Sequence, residues 1–359
     1  MTTTPLAPGD TLGILGGGQL GRMLALAAAR LGLDVAILEP EPDSPAARVA
    51  AHAIVAPYDD PDALKRLAGL AKVVTYEFEN VPVAAVETLA SLGANVAPGA
   101  RALATAQDRF EEKTFLNAVG APTVAFAAAD SEESATAAVM TLGAPVLMKT
   151  RREGYDGKGQ RWVEHAADAA GTFRALGGVP VIVEAPAAFV RELSVIAARG
   201  RDGAVMVYPL AENHHADGVL RRTIAPARAS PETAAQAETI AIRILTGLDY
   251  VGVIGVELFE LLGGTLLVNE IAPRVHNTGH WTQDGCAIDQ FEQHVRAVAG
   301  WPLLPPSPHS GVEMLNLLGD EATDWRRWAA EPDTRLHLYG KREAKPGRKM
   351  GHVNRLRPL

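Results

Sequence analysis

The sequence predicts an α/β protein in three parts: a parallel sheet with helices on both faces, a smaller α/β unit, and a mostly antiparallel α+β sheet. Three observations carry this. The apolar runs TLGIL (11–15), DVAIL (34–38), KVVTY (72–76) and ANVAP (94–98) alternate with helical patterns at 19–31, 61–70 and 82–92, the pattern of crossover-connected parallel strands. A second strand-and-helix pattern runs from about 122 to 185. Beyond it lie alternating strands and a tight turn at Gly263-Gly264. The expected units are 1–104, 105–185 and 186–359, a division suited to a chain of 359 residues.

Composition narrows the function classes. The chain is 47% hydrophobic and 21% charged, with net charge −8, which argues against a general nucleic-acid binder. One cysteine, Cys286, excludes an internal disulfide and a multi-cysteine metal site. No apolar run reaches the roughly 18 residues that span a bilayer, and MTTTPLAPGD lacks a signal-peptide pattern. A cytoplasmic enzyme with neither membrane nor nucleic-acid partner is expected.

The first strand runs into Gly16-Gly17-Gly18-Gln19-Leu20-Gly21, a G-x-G-x-x-G turn, and Glu39 ends the second strand. This pattern suits a dinucleotide, another small anionic ligand, or a turn whose glycines serve packing alone. A nicotinamide-dependent dehydrogenase is therefore one reading. Tyr76-Glu77-Phe78-Glu79-Asn80 leaves the third strand at its carboxyl end, where open α/β sheets bind ligands, so Glu77 is a candidate for a substrate hydroxyl or amine.

Residues 105–119 read as one amphipathic helix with Phe110, Phe115, Leu116 and Val119 inward and the charges wet. Pro145–Lys149 is a strand ending in lysine. The loop after it, 150–160, holds Gly154, Gly157, Gly159 and Lys158, and could close its amides over a triphosphate without being a P-loop. Val179–Glu184 is a strand ending in an acid. Arg191–Ala198 opens the antiparallel sheet and 205–208 continues it. Glu212-Asn213-His214-His215 is expected in the loop beyond, with the histidine side chains on opposite sides. Ser230-Pro231 caps and starts a helix that stops at Gly247.

The hairpin from Tyr250 to Thr282 is the densest in chemistry. A two-residue loop at Gly263-Gly264 would make Leu262 face Thr265 and Glu257 face Glu270. Facing carboxylates repel unless a hard cation such as Mg²⁺ lies between them, or the register slips and leaves both solvated. PRVHNTGHW follows at once, and Lys341, Lys345, Arg348 and Lys349 cluster near the C-terminus, suiting a phosphate clamp or a solvated loop.

These pieces together resemble the ATP-grasp superfamily, and within it the N5-carboxyaminoimidazole ribonucleotide synthetases of purine biosynthesis. The matching stretches are GILGGGQLGRM (13–23), YEFENVP (76–82), QDRFEEK (107–113), GYDGKGQ (154–160), RELSVI (191–196), GVELF (255–259), NEIAPRVHNTGHWT (269–282) and PGRKMGH (346–352). The resemblance implies an N-terminal pre-ATP-grasp domain, a central lid and a C-terminal domain. It implies ATP at Arg109, Lys149, Gly154, Tyr155, Asp156, Gly157, Lys158, Gly159, Gln160, Glu184, Ala185, Pro186, Ala187, Glu192, His215, Asn269 and Glu270, with Mg²⁺ on Glu257 and Glu270. Ala272 stands where many relatives in the superfamily carry a ligating asparagine. The ribonucleotide would meet Gln19, Leu20, Glu77, Asn277, Lys341, Arg348 and Lys349, and the chemistry Tyr155, Asp156, Arg274 and His276. Asp156 and His276 both stand as the base. The implied reaction carboxylates aminoimidazole ribonucleotide with bicarbonate through carboxyphosphate. The alternative within the superfamily uses formate and glycinamide ribonucleotide. A homodimer is implied by resemblance alone.

Overall fold

The computed structural model describes residues 4–154 and 158–359. Among them, β1 (Thr11–Leu15), β2 (Asp34–Leu38), β3 (His52–Ile54), β4 (Val73–Tyr76) and β5 (Asn95–Val96) form a parallel sheet of order β3-β2-β1-β4-β5. Three residues of β3, two of them exposed, are too few to show as an apolar run. Around the sheet lie α1 (Gln19–Arg30), α2 (Pro61–Leu70), α3 (Val83–Ser91) and α4 (Ala100–Ala106). Asp60 accepts the Ala63 N–H and Pro61 takes the first helical position, which fixes where α2 begins.

The single helix expected over 105–119 is broken. After α4 the chain turns at Asp108, whose carboxylate caps α5 (Arg109–Ala118) through Phe110 and Glu111 N–H and also pairs with Arg151. Aspartate satisfies orphan amides best at an N-cap, so it starts a helix here rather than continuing one. The charged face is not all wet either: Glu112 and Lys113 are buried.

A second sheet, order β6-β9-β7-β8, comprises β6 (Phe126–Ala129), β7 (Val146–Thr150), β8 (Gln160–Val163) and β9 (Val181–Glu184), all antiparallel neighbours. Its small core packs Ala135, Val139 and Phe173 of α6 (Glu132–Leu142) and α7 (Ala169–Ala175) against Val146, Met148 and Val183.

The third sheet is antiparallel. It contains β10 (Phe189–Arg199), β11 (Val205–Val207), β12 (Ala211–Ala216), β13 (Val219–Ala225), β14 (Gly252–Leu261), β15 (Leu266–Ala272), β16 (Gly311–Leu318), β17 (Thr334–Leu338) and β18 (Lys349–Arg357). The order is β15-β14-β10-β12-β13-β16-β18-β17, with β11 beside β10. Residues 212–215, expected in a loop, lie within β12, because Glu212 to Ala216 pair with β13 despite a bulge at His214/His215. Alternation sorts the sheet's two faces. Leu193, Val195, Ile254 and Val256 meet α8 (Pro231–Gly247) on one side. Ile196 and Val253 meet α1 on the other, together with Trp281 just before α9 (Thr282–Gly285) and Phe291 of α10 (Gln290–Ala299). One core cluster thus joins the parallel and antiparallel sheets, and the candidate site lies along this seam. Among the described residues no helix is long and apolar enough to cross a membrane.

Candidate active site

Glu257 and Glu270 do face each other across β14 and β15. The route to that register differs from the expected one. Leu261 N–H donates to Thr265 O, so the loop is Leu262-Gly263-Gly264, three residues rather than two. Leu258 then faces Val268, and a bulge between Glu257 and Leu258 absorbs Asn269 and restores the pairing. The bulge also keeps the apolar residues inward: Leu266 and Val268 before it, and Ile271 after it, share the core under α8. Asn269 Nδ2 donates to Glu257 at 3.3 Å, and Lys113 Nζ donates to the Asn269 carbonyl at 3.0 Å.

The two carboxylates are electrostatically unequal. Burial raises Glu270, but Arg109, at 3.0 Å, overrides it and holds the acid below its usual range. Burial and the neighbouring Glu270 charge push Glu257 up to about 7. A divalent cation relieves that repulsion, and carboxylate oxygens are what Mg²⁺ prefers. Among the described residues no group of three or more His, Cys, Asp or Glu is placed to hold a metal. Ala272, opposite Gly255, offers no side-chain ligand. The donor set therefore fits a magnesium ion completed by phosphate oxygen and water, as on a nucleotide, rather than a protein-caged metal.

The nucleotide side is built from strand ends. Lys149 near the end of β7 and Glu184 at the end of β9 pair at 2.7 Å, and Lys113 approaches the other Glu184 oxygen at 3.4 Å. Burial would raise Glu184, but Lys149 and Lys113 outweigh it and keep it ionised. Ala185, Pro186 and Ala187 link β9 to β10, with Ala185 N–H donating to Ala125 O. Gly154 lies over Arg109, whose Nη2 donates to the Gly154 carbonyl at 3.1 Å, and Gly159 O accepts from Thr150 N–H. Lys158 and Gln160 complete the return into β8. Tyr155, Asp156 and Gly157 lie outside the described residues. On β10, Glu192 hydrogen-bonds Nδ1 of His215 on β12. His214, on the opposite side of that strand, contacts Glu212 and Arg222 instead.

The glycine loop is filled by the protein itself. Glu77 accepts Gly18 N–H at 2.5 Å and Gly21 N–H at 2.7 Å. Glu39 accepts Gly17 N–H at 2.6 Å and the Tyr58 hydroxyl at 2.7 Å. The helix N-terminus that would hold a pyrophosphate thus binds an internal carboxylate, and the acid that would hold a ribose turns back onto the loop. A Cβ on Gly16 or Gly18 would meet Glu77 at 2.3 or 2.5 Å, so these glycines admit an acid rather than a dinucleotide. The nicotinamide reading is overturned on this geometry. Leu20 packs in the core, whereas Gln19 remains partly exposed beside Glu77's loop.

Beyond the hairpin, Arg274 pairs with Glu79 and its Nη1 donates to the Val275 carbonyl. Burial alone would raise Glu79, but Arg274 holds it at about 2. His276 sits over Gly255, where a Cβ would stand 2.6 Å from the histidine Cβ. Its Nδ1 meets Thr278 Oγ1 at 2.9 Å and its Nε2 lies 3.8 Å from Glu257. Burial and the Arg274 charge push the imidazole down to about 3, so it is neutral at physiological pH. Gln290 clamps the His276 main chain, accepting its N–H at 2.9 Å and donating to its carbonyl at 2.7 Å. Asn277 and Asn316 exchange amide hydrogen bonds at 3.0 and 2.7 Å.

On the far side Lys341 Nζ donates to the Lys349 carbonyl at 2.8 Å. Burial and the Arg348 charge push Lys341 down to about 8. Arg348 donates to the Glu343 carbonyl, and Lys349 opens β18. Lys113, Glu112, Asn316 and Gln290 were missed in the sequence. Lys113 and Glu112 fall in the quoted QDRFEEK stretch, and placing both on the inward side of α5 would have exposed them.

Comparison with known proteins follows this geometry. Three family models match: the ribonucleotide synthetase preATP-grasp domain over residues 10–107, the ATP-grasp domain over 114–291, and the phosphoribosylaminoimidazole carboxylase C-terminal domain over 313–358. The chain is 52% identical over 360 residues to the N5-carboxyaminoimidazole ribonucleotide synthase of Brucella melitensis, covering 100% of this chain and 99% of that one. A crystal structure of the Thermus thermophilus synthetase superposes with TM-score 0.90 at 44% identity, covering 97% and 94% of the two chains. The Aspergillus clavatus synthase, solved with ADP and 5-aminoimidazole ribonucleotide, gives TM-score 0.91 at 33% identity over 98% and 95%. The chain belongs to the N5-carboxyaminoimidazole ribonucleotide synthase family of ATP-grasp enzymes.

Proposed function

We propose that this chain carboxylates 5-aminoimidazole ribonucleotide with bicarbonate and ATP, yielding N5-carboxyaminoimidazole ribonucleotide, ADP and phosphate. The observation that supports it is that Arg274 feels the charges of both Glu77 and Glu270 while His276 Nε2 lies 3.8 Å from Glu257, so the pair stands between two charged ends. One end holds the facing pair Glu257 and Glu270 with Arg109, Lys149 and Glu184. The other holds Glu77 and the cations Lys341 and Arg348.

In this reading the nucleotide lies against Lys149, Glu184 and the 185–187 linker, with Arg109 and Lys158 drawing its phosphates toward the glutamate pair. Glu192 and His215 bound the same cleft. Glu257 and Glu270 would hold Mg²⁺, which on ATP draws charge from the phosphoryl oxygens during transfer to bicarbonate. Gln19, Glu77 and Asn277 orient the ribonucleotide, and Lys341, Arg348 and Lys349 take its 5′-phosphate. Arg274, fixed by Glu79, supplies positive charge beside bicarbonate. His276, neutral and fixed by Thr278, orients the amine through a hydrogen bond rather than storing a proton. Asp156, next to Tyr155 in sequence, is then the base in this proposal, and exclusion of water from the mixed anhydride is the role it gives the 154–160 stretch. The units 1–104, 105–185 and 186–359, a homodimer and a cytoplasmic location belong to the same proposal; sedimentation at micromolar concentration tests the dimer.

The deciding assay is ADP release with each substrate pair. Turnover with aminoimidazole ribonucleotide and bicarbonate, and none with glycinamide ribonucleotide and formate, is expected. The reverse result would refute the reading.

A further inference from the structure

Two arginines given no role so far converge on the backbone at Gly340, one residue before Lys341. Arg22 lies in the first turns of α1, three residues past Gln19, and Arg48 lies in the segment after β2. The Nη1 atoms of Arg22 and Arg48 stand 3.8 and 3.7 Å from the point a Cβ on Gly340 would occupy. Gly340 has φ +74°, a conformation that costs glycine little, and it precedes Lys341 directly. Two separate segments therefore bring their guanidinium groups to the backbone just before Lys341.

The protein does not neutralise this convergence. Arg22 donates to the Pro45 carbonyl at 3.1 Å and Arg48 to the Asp43 carbonyl at 3.2 Å. Among the described residues neither arginine forms an ion pair, and the nearby Asp43 carboxylate is engaged by Arg342. Like charges brought together without a counter-charge are costly unless an anion joins them. Each guanidinium presents several donors in a fixed plane, the geometry that suits a phosphate. Arg48 is exposed and Arg22 partly so, which leaves their free N–H groups open to a ligand.

We propose that Arg22 and Arg48, meeting over Gly340, form a second arm of the phosphate clamp and select a 5′-phosphorylated ribose. The proposal rests on the ribonucleotide reading above, since Gln19 and the Glu77 loop orient the ribose from the same end of α1. Lys341 and Arg348 close on the phosphate from one side, and Arg22 and Arg48 from the other. Specificity for phosphate is then shared between groups from the N-terminal and C-terminal parts of the chain.

The test uses the full chain with ADP and Mg²⁺, the substitutions Arg22→Gln and Arg48→Gln, and ribose 5-phosphate as the probe in calorimetry. Each substitution is expected to weaken ribose 5-phosphate about ten-fold, the order of one charge-assisted hydrogen bond. KM for aminoimidazole ribonucleotide should rise by a similar factor while KM for ATP stays within about two-fold, a split that a merely structural role would not give. Ribose 5-phosphate affinity unchanged in both variants overturns the proposal, as does failure of the parent chain to bind it. If thermal scans show Arg22→Gln misfolded, Arg48→Gln on its exposed side chain decides by the same criterion. Because binding is read without turnover, a negative result leaves the carboxylation reading standing. Absence of turnover in the parent chain would remove that reading without altering the binding result.

Discussion

Replacing Glu77 by glutamine perturbs the glycine loop with almost no change of volume. The carboxylate accepts two main-chain N–H groups, from Gly18 and Gly21, at 2.5 and 2.7 Å, and is only 7% exposed. Glutamine keeps one acceptor and turns its NH₂ toward the other amide, donor against donor. A hydrogen bond to a charged group contributes about 1.5–3 kcal/mol, and a buried unsatisfied N–H costs about 1–3 kcal/mol. Removing a buried charge offsets part of this, since burial holds the Glu77 carboxyl above its usual range against the pull of the two amides. A net local loss of about 2–4 kcal/mol remains, equivalent to roughly 30- to 1,000-fold faster opening of the loop. Hydrogen exchange read by mass spectrometry on the peptide spanning Gly13 to Leu24 measures it, with the α8 peptide as internal reference. Exchange within about three-fold of the parent would refute the assignment of Glu77 as the loop's internal anion.

Glu270→Gln should abolish turnover and weaken Mn²⁺ binding at saturating ADP, read by electron paramagnetic resonance, because one of two facing carboxylates is lost; wild-type Mn²⁺ affinity would exclude the metal role. Arg348→Ala should raise KM for the ribonucleotide well above any change in KM for ATP, and equal rises would remove it from the clamp. Lys341, with its pKa lowered to about 8, is an ammonium below that pH and loses its charge above it. KM for the ribonucleotide should therefore climb from about pH 7 to about pH 9, and Lys341→Arg should flatten the profile; a climb that persists in the variant assigns it to another group.

Much of the architecture was legible because strand and helix periods are local. The runs at 11–15, 34–38 and 61–70 match their elements residue for residue. The facing glutamates were also legible, though through two departures that cancel: a longer turn and a bulge each shift the register by one. What the sequence could not show is which distant group fills a local motif. The glycine turn reads as a cofactor cradle until Glu77, which follows a strand 59 residues away from Gly18, is seen closing it. Lys113 was hidden for a similar reason, since its partners Glu184 and Asn269 lie on two other sheets. The inward charges of α5 break the rule that charged faces are solvated, and they do so because each finds a partner there.

Gly255 carries a consequence of another kind. It offers no reactive atom, yet a methyl group on it would arrive 2.6 Å from the Cβ of His276. What the strand contributes there is an absence, a notch cut into the sheet in which the imidazole rests. Alanine, chemically inert and only one methyl larger, would lift the ring away from Thr278 and Glu257 and disable the centre without replacing one of its working groups. Inventories of reactive side chains pass over such positions, and in this fold the room left empty is as much a part of the machinery as the atoms that fill the rest.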